Sequence, residues 1–158
     1  MKRNALISDD GQYRYWLTRV WNESLPYLAI IGVNPSTADA EIDDATIRKD
    51  IGFASRLGFG GFVKLNVAAF RARDPKVCKA AVDPIGPMNT AEFLLQQARL
   101  FGATKFIAAW GKNGIFFDRE CSRIVEVFPE LWCWGRNGDG TPRHPLMLPY
   151  STPLERFC

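Results

Sequence analysis

Tyr27-Leu28-Ala29-Ile30-Ile31-Gly32-Val33 is a continuous run without a charged side chain. Such a run reads as a β-strand buried on both faces, the situation of a strand inside a parallel sheet. The chain then passes directly into Asn34-Pro35-Ser36-Thr37-Ala38-Asp39, and Asp43 to Leu57 reads as a helix. Asp43 and Asp44 sit well at its positive N-terminus, and Gly58 fits its C-terminal end.

Downstream, the same alternation repeats. Gly61 to Val67 reads as a second strand, followed by a long loop with Pro75, Pro84 and Pro87. Asn89 to Phe101 reads as a helix, with Asn89 as N-cap and Glu92 three residues on. Thr104 to Trp110 is a third strand, Gly114 to Val127 a third helix, and Leu131 to Trp134 a fourth, short strand. Upstream, Tyr13 to Trp21 alternates aromatic and polar residues, as a strand at a sheet edge does. The expected fold is α/β: three layers, α/β/α, around a four-stranded parallel sheet with right-handed crossovers, plus a short N-terminal β-ribbon. No linker or repeat divides residues 1–158, so one domain is expected.

Composition agrees. The 158 residues are 47% hydrophobic and 23% charged, ordinary globular usage that excludes a disordered tail, a collagen-like repeat and a coiled coil. The best apolar run, Leu28 to Val33, falls far short of a membrane span. The N-terminus is basic but lacks the long apolar stretch of a signal peptide. A cytoplasmic monomer without membrane contact is the expectation. The net charge of +3 permits an anionic partner without requiring one. Cys78, Cys121, Cys133 and Cys158 form no C-x-x-C pair and match no familiar iron–sulfur spacing, so reduced thiols are the default. A single histidine argues against structural zinc. Asp39, Asp43 and Asp44 read more simply as helix-start acids than as a magnesium site. No G-x-S-x-G elbow or Walker A sequence is present, and no cofactor or metal is expected.

In open parallel sheets, ligands bind beyond the carboxyl ends of the strands. Four polar segments lie there. After the first strand, Asn34 can donate and accept at once, and Pro35 stiffens its turn; a plain strand-end turn explains the same residues. In the second strand, Asn66 is an amide within an apolar pattern, which must brace backbone or read a ligand. From Lys64 to Lys79 there are five basic residues (Lys64, Arg71, Arg73, Lys76, Lys79) and one acid, Asp74. Such an arm suits phosphate contact, or is solvated surface. Trp110-Gly111-Lys112-Asn113-Gly114 follows the third strand; its glycines fit an anion-holding turn or a simple change of direction, and Trp110 fits the core. Beyond the last strand comes Pro142-Arg143-His144-Pro145-Leu146, where prolines stiffen the loop around the only histidine.

Taken together, the segments resemble the uracil-DNA glycosylase superfamily. Gly32-Val33-Asn34-Pro35 is similar to its first motif, Leu65-Asn66 to the end of its second strand, Trp110-Gly111 to the end of its third, and His144-Pro145-Leu146 to its last motif. The chain also resembles, over nearly its whole length, a bacterial and phage family, the domain of unknown function numbered sixteen-forty-three. Asn34-Pro35-Ser36-Thr37-Ala38-Asp39, Arg73-Asp74-Pro75, Asp83-Pro84-Ile85-Gly86-Pro87 and Pro142-Arg143-His144-Pro145-Leu146 carry that likeness. The glycosylase likeness implies a nucleobase-recognising enzyme that cleaves an N-glycosidic bond in DNA or in a modified nucleotide. Asn34 and His144 would be catalytic, Asn66, Ser36 and Trp110 would bind the base, and Lys64, Arg71, Arg73 and Arg143 would contact phosphate. The chain departs from the pattern at Asn34, where the most active glycosylases carry a water-activating Asp, and at Ser36, Thr37 and Ala38, which are small where the base-stacking aromatic is expected. The alternative is a non-catalytic module that binds a nucleotide or nucleic acid in the same pocket.

Overall fold

A computed structural model describes residues 1–158. The strands are β1 (Lys2–Ile7), β2 (Arg14–Val20), β3 (Tyr27–Gly32), β4 (Gly61–Asn66), β5 (Ala103–Ala108), β6 (Trp132–Cys133) and β7 (Glu155–Arg156). The helices are α1 (Ala45–Arg56), α2 (Pro75–Ala80), α3 (Ala91–Phe101) and α4 (Asp118–Val127). The strands form one seven-stranded sheet in the order β1-β2-β4-β3-β5-β6-β7.

The apolar run opens the sheet's centre, as its composition predicts. β3 pairs in parallel with β4 on one side, where Gly32 stands opposite Asn66, and with β5 on the other. Ile107 of β5 pairs in parallel with Trp132 of β6. Beyond these strands the expectation of a four-stranded parallel sheet plus a short N-terminal ribbon is corrected. β2 runs antiparallel to both β1 and β4, and β7 runs antiparallel to β6, so the sheet is mixed. β2 is therefore not an edge strand. Lys2–Ile7 pairs along it and takes the edge, with basic Lys2 and Arg3 exposed there.

The pleat sends alternate residues of β3 to opposite faces. Ala29 and Ile31 join Val63 and Leu65 of β4 in a core closed by Leu94, Leu95 and Ala98 of α3 and Cys121 and Ile124 of α4. Leu28 and Ile30 join Phe62 in a second core, closed by Ile47, Phe53 and Ala54 of α1 together with Trp134. Each fully buried Leu or Ile of these layers is worth about 1.5–3 kcal/mol in transfer free energy.

The helix ends follow local chemistry. The Asp44 carboxylate accepts from the Ile47 N–H and caps α1. Thr90, not Asn89, caps α3 by accepting from the Phe93 N–H, and Gly102 ends it at φ +91° in the left-handed region. The long loop expected after β4 contains α2, capped by Asp74 with Pro75 at its first position. The helix expected over Gly114 to Val127 is two pieces, a 3-10 segment at Lys112–Phe117 and α4. Trp110 packs where a Cβ on Gly114 would stand, 2.2 Å from its Cδ1. Cys78, Cys121 and Cys133 are buried, Cys158 is exposed, and none forms a disulfide. No helix is long and apolar enough to cross a membrane.

Candidate functional site

The carboxyl ends of β3, β4 and β5 and the Pro142–Leu146 loop meet at one end of the sheet, where two cavities lie. An inner one of about 50 Å³ is lined by Arg14, Asn34, Ser36, Lys64, Asn66 and His144, with Asp44, Thr46 and Ile47 at the start of α1 forming a wall. An outer cleft of about 410 Å³ shares Asn34, Ser36, Asp44, Thr46 and His144 and adds Arg73, Trp110 and Lys112. A further cavity, about 580 Å³, lies between α3 and α4 and reaches Val67 and Asn89 behind the end of β4. Its Arg123 pairs with Glu92 and Glu126 at exposed positions.

Asn66 ends β4 and is 2% exposed. Its main-chain carbonyl and that of Val67 accept from Asn89 Nδ2 at 2.9 and 3.1 Å, so Asn89 clamps the strand end instead of capping a helix. The side-chain Nδ2 of Asn66 has no partner. Gly32, opposite in the sheet, makes room for it, since a Cβ there would sit 2.9 Å from Asn66 Oδ1. Lys64 projects beneath the same wall, and its Nζ is 2.9 Å from Asp50 Oδ2 of α1 in a buried ion pair. Burial raises the Asp50 pKa, while Lys64 opposes that rise. Lys64 is thus an interior residue of the pocket, not part of a surface basic arm.

Asn34 donates through Nδ2 to the Ala72 carbonyl at 2.8 Å and to the Pro35 carbonyl at 3.1 Å. Two carbonyl partners fix which end of the amide is nitrogen, so Oδ1 is the atom left for a ligand or water. His144 accepts at Nδ1 from the Leu146 N–H at 3.2 Å. The ring proton of the neutral form therefore sits on Nε2, as a donor. Burial first, and then Lys64, push the His144 pKa down to about 4, with Asp44 pulling the other way. The ring is neutral at neutral pH, but Lys64, not its neighbour Arg143, supplies the opposing charge. The turn after β5 holds this loop in place. The Gly111 N–H donates to the Pro142 carbonyl at 2.9 Å, and a Cβ on Gly111, already at φ +71°, would lie 3.1 Å from His144 Cβ.

The structure thus brings Asn34, Ser36, Lys64, Asn66 and His144 together, with Arg73 and Trp110 at the outer cleft. Trp110 is 3% exposed and meets Phe157 edge to face at 5.8 Å, so most of its ring belongs to the core. Arg71 and Arg143 line neither cavity. Arg71 donates to the Gly11 and Thr37 carbonyls and ties the β1–β2 turn to the Asn34 loop. The Arg143 stem lies along Gly135.

Residues that the sequence reading passed over also line the pocket. Asp44, read in the sequence as a helix-start acid in preference to a magnesium ligand, is the one carboxylate lining either cavity. Arg14 was hidden in the alternation of β2. It is 2% exposed, donates from Nη1 to the Ala38 carbonyl at 3.0 Å, and leaves Nε without a partner. Burial pulls its pKa down to about 10, with Asp44 partly opposing.

No curated protein and no solved structure matches the chain. A match to one family runs from residue 14 to residue 146, from the start of β2 through the His144 loop, and so takes in every residue placed around the two cavities. The chain belongs to that family, described as "Protein of unknown function (DUF1643)".

Proposed function

We propose that the protein is a nucleobase-recognising enzyme of uracil-DNA glycosylase type, acting on an N-glycosidic bond in DNA or in a modified nucleotide. The observation that carries this reading is the Asn66 amide. It is buried at a strand end, it lines a cavity, and its Nδ2 donor has no protein partner. A buried donor without an acceptor costs about 1–3 kcal/mol, and the carbonyl edge of a base supplies the acceptor. The parallel strands β4, β3, β5 and β6, with helices against both faces, support the glycosylase-like layout.

In the reaction, the bond between the sugar C1′ and the base nitrogen breaks and its electron pair stays with the base. C1′ takes the oxygen of a water, and the base ends protonated. Asn34 Oδ1 positions the water. Asn66 Nδ2 holds the base. His144 Nε2–H donates to the base carbonyl oxygen on which negative charge accumulates, a contact worth about 3 kcal/mol in the transition state. Arg73 and Lys112 meet phosphate at the outer cleft, and Leu146 and the exposed Met147 stand where a wedge would fill the place of an extruded base, a process costing a few kcal/mol. The partner is DNA or a nucleotide, and the protein acts as a monomer.

A second reading, a binding module without turnover, is favoured by Asn34 itself, because an amide cannot take a proton from water. One experiment separates them. Oligonucleotides carrying deoxyuridine, mismatched, alkylated or hypermodified bases are incubated with the protein, and base release and binding are both measured. The corresponding free nucleotides are tested beside them: release from any substrate supports the enzyme, tight binding without release supports the module, and neither binding nor release with either kind overturns both.

A further inference from the structure

Three basic side chains are buried in this protein: Arg14, Arg19 and Lys64. Arg19 is paired through Nε with Asp43 at 2.8 Å, and Lys64 is paired with Asp50 at 2.9 Å. Arg14 has no carboxylate in ion-pair contact. Its one hydrogen bond runs from Nη1 to the Ala38 carbonyl, and Nε has no acceptor at all. A cation taken out of water without a counter-charge forfeits hydration for little return, a cost the fold avoids at the other two sites. Even with its pKa lowered, Arg14 is fully charged at neutral pH.

Arg14 is not sealed in, however. It lines the inner cavity, where several donors stand beside two acceptors, Asn34 Oδ1 and the Asp44 carboxylate. Asn66 Nδ2 is buried and unpartnered. His144 presents Nε2–H, and the Ser36 and Thr46 hydroxyls stand on the wall. The wall formed by Thr46 and Ile47 is the N-terminus of the twelve-residue α1, whose dipole favours negative charge. Asp44 is the one acid present, and one of its oxygens is engaged by the Ile47 N–H.

We propose that the inner cavity is an anion subsite in which Arg14 and Asn66 hold a small oxyanion carried by the ligand. The chemistry is that of a carboxylate, a phosphate or the exocyclic oxygen of an ionised base: a guanidinium and an amide N–H donate together to oxygen. A volume of about 50 Å³ admits a group of that size and not a whole nucleotide. Asp44 on the same wall opposes a second negative charge, so a singly charged oxyanion is preferred. This assignment goes beyond glycosidic cleavage and does not require it; where the enzyme reading holds, the oxyanion belongs to the base.

Titration calorimetry with three probes tests it: orotate, a pyrimidine bearing one carboxylate; uracil, its neutral parent; and inorganic phosphate. Wild-type protein, Arg14→Gln and Arg14→Lys are compared, with thermal unfolding recorded for each in the absence of probe. Orotate is expected to bind at least 10-fold more tightly than uracil. Arg14→Gln should remove that preference without lowering the melting temperature, and Arg14→Lys should retain part of it. Binding of phosphate alone, lost in Arg14→Gln, assigns the oxyanion to a phosphate group; binding of orotate alone assigns it to the base. The proposal is overturned if neither anion binds wild-type protein at millimolar concentration, or if Arg14→Gln binds them as wild type does. It is overturned equally if that variant melts many degrees lower with unchanged affinity, the behaviour of a purely structural arginine. Base release by an Arg14→Gln variant at the wild-type rate and affinity would sink the anion subsite and spare the enzyme reading. Arg14-dependent anion binding without base release would do the reverse.

Discussion

At the scale of single residues, the histidine is where folding and chemistry are most tightly joined. His144 has its pKa lowered by burial from 6.5 to about 4. The unfolded chain thus takes up a proton near pH 6.5, while the folded chain declines it until about pH 4. The neutral ring's contribution is complete above pH 6.5 and is lost as the pH falls through that window, amounting to about 3 kcal/mol at ~1.36 kcal/mol per pH unit. Urea unfolding of wild type and His144→Gln between pH 4 and 7.5 isolates it, because carboxylates common to both proteins cancel. Wild type should lose about 3 kcal/mol more than the variant over that range, and parallel curves would place the ring in water. The same neutrality bears on turnover. If Nε2–H is the donor to the departing base, the acid limb of the rate profile falls near pH 4 and not near 6.5. His144→Ala should then lower the rate by ~100-fold, as loss of one such donor does, while the melting temperature moves by only a few degrees. A destabilised variant with full activity per folded molecule would remove His144 from the chemistry.

Among the elements, what was legible in the sequence was whatever a short window of residues decides. The apolar run of β3, the caps and stops of α1, and the Asn34, Asn66 and His144 strand ends are all local patterns, and they come together as expected. What was hidden depends on partners far along the chain. Lys2–Ile7 has no apolar alternation strong enough to mark it as a strand, and becomes one by pairing with β2. Pairing with β4 on its other side makes β2 an interior strand, and carries Arg14 inward. Asn89 looked like a cap because an Asn before a helix usually is one. Only the fold shows its amide reaching the Asn66 and Val67 carbonyls. That clamp gives a test. Asn89→Ala removes the side-chain donor from both carbonyls, at a cost of about 1–3 kcal/mol. It also frees the end of β4, so ligand affinity should fall even in the fully folded fraction. Urea unfolding and calorimetry on the one variant measure the two effects, and lost stability with intact affinity would confine Asn89 to structure. On the other side of the pocket, Gly111→Ala combines an extended backbone at φ +71° and ψ −169°, a region open essentially to glycine alone, with a Cβ 3.1 Å from His144 Cβ. It should cost about 1–3 kcal/mol of stability and, by displacing the histidine loop, lower the activity of the fraction that remains folded.

Across the whole molecule, the distribution of charge decides how a nucleic acid would be held. Counting basic residues along the chain from Lys64 puts Lys64, Arg71, Arg73 and Lys76 into one phosphate-binding arm, with a slope of log affinity on log salt of about −3.6 at ~0.9 per duplex phosphate. The fold divides that arm. Lys64 is buried against Asp50, so it releases no counterion when a phosphate arrives. Arg71 donates to the Gly11 and Thr37 carbonyls and lines neither cavity. Arg73 and Lys76 remain exposed, and Lys112 joins Arg73 at the outer cleft, brought there by the turn after β5. Three exposed cations, Arg73 and Lys112 of the cleft and Lys76 next in the chain to the cleft residue Pro75, imply a slope of about −2.7 for duplex DNA. Fluorescence anisotropy of a labelled duplex over a series of salt concentrations measures it, and Arg73→Ala should bring the slope down by about 0.9 without changing stability. Lys64→Met reports on the other half of the division. Removing one partner of a buried pair costs about 3–5 kcal/mol, so that variant should lose stability, while the salt slope of whatever remains folded stays where it was. A slope near −4.5 for wild type would require Lys64 and Arg71 at the phosphates after all. A flat response with DNA demonstrably bound would take the whole basic rim out of the interface and leave the polar pocket as the sole point of recognition.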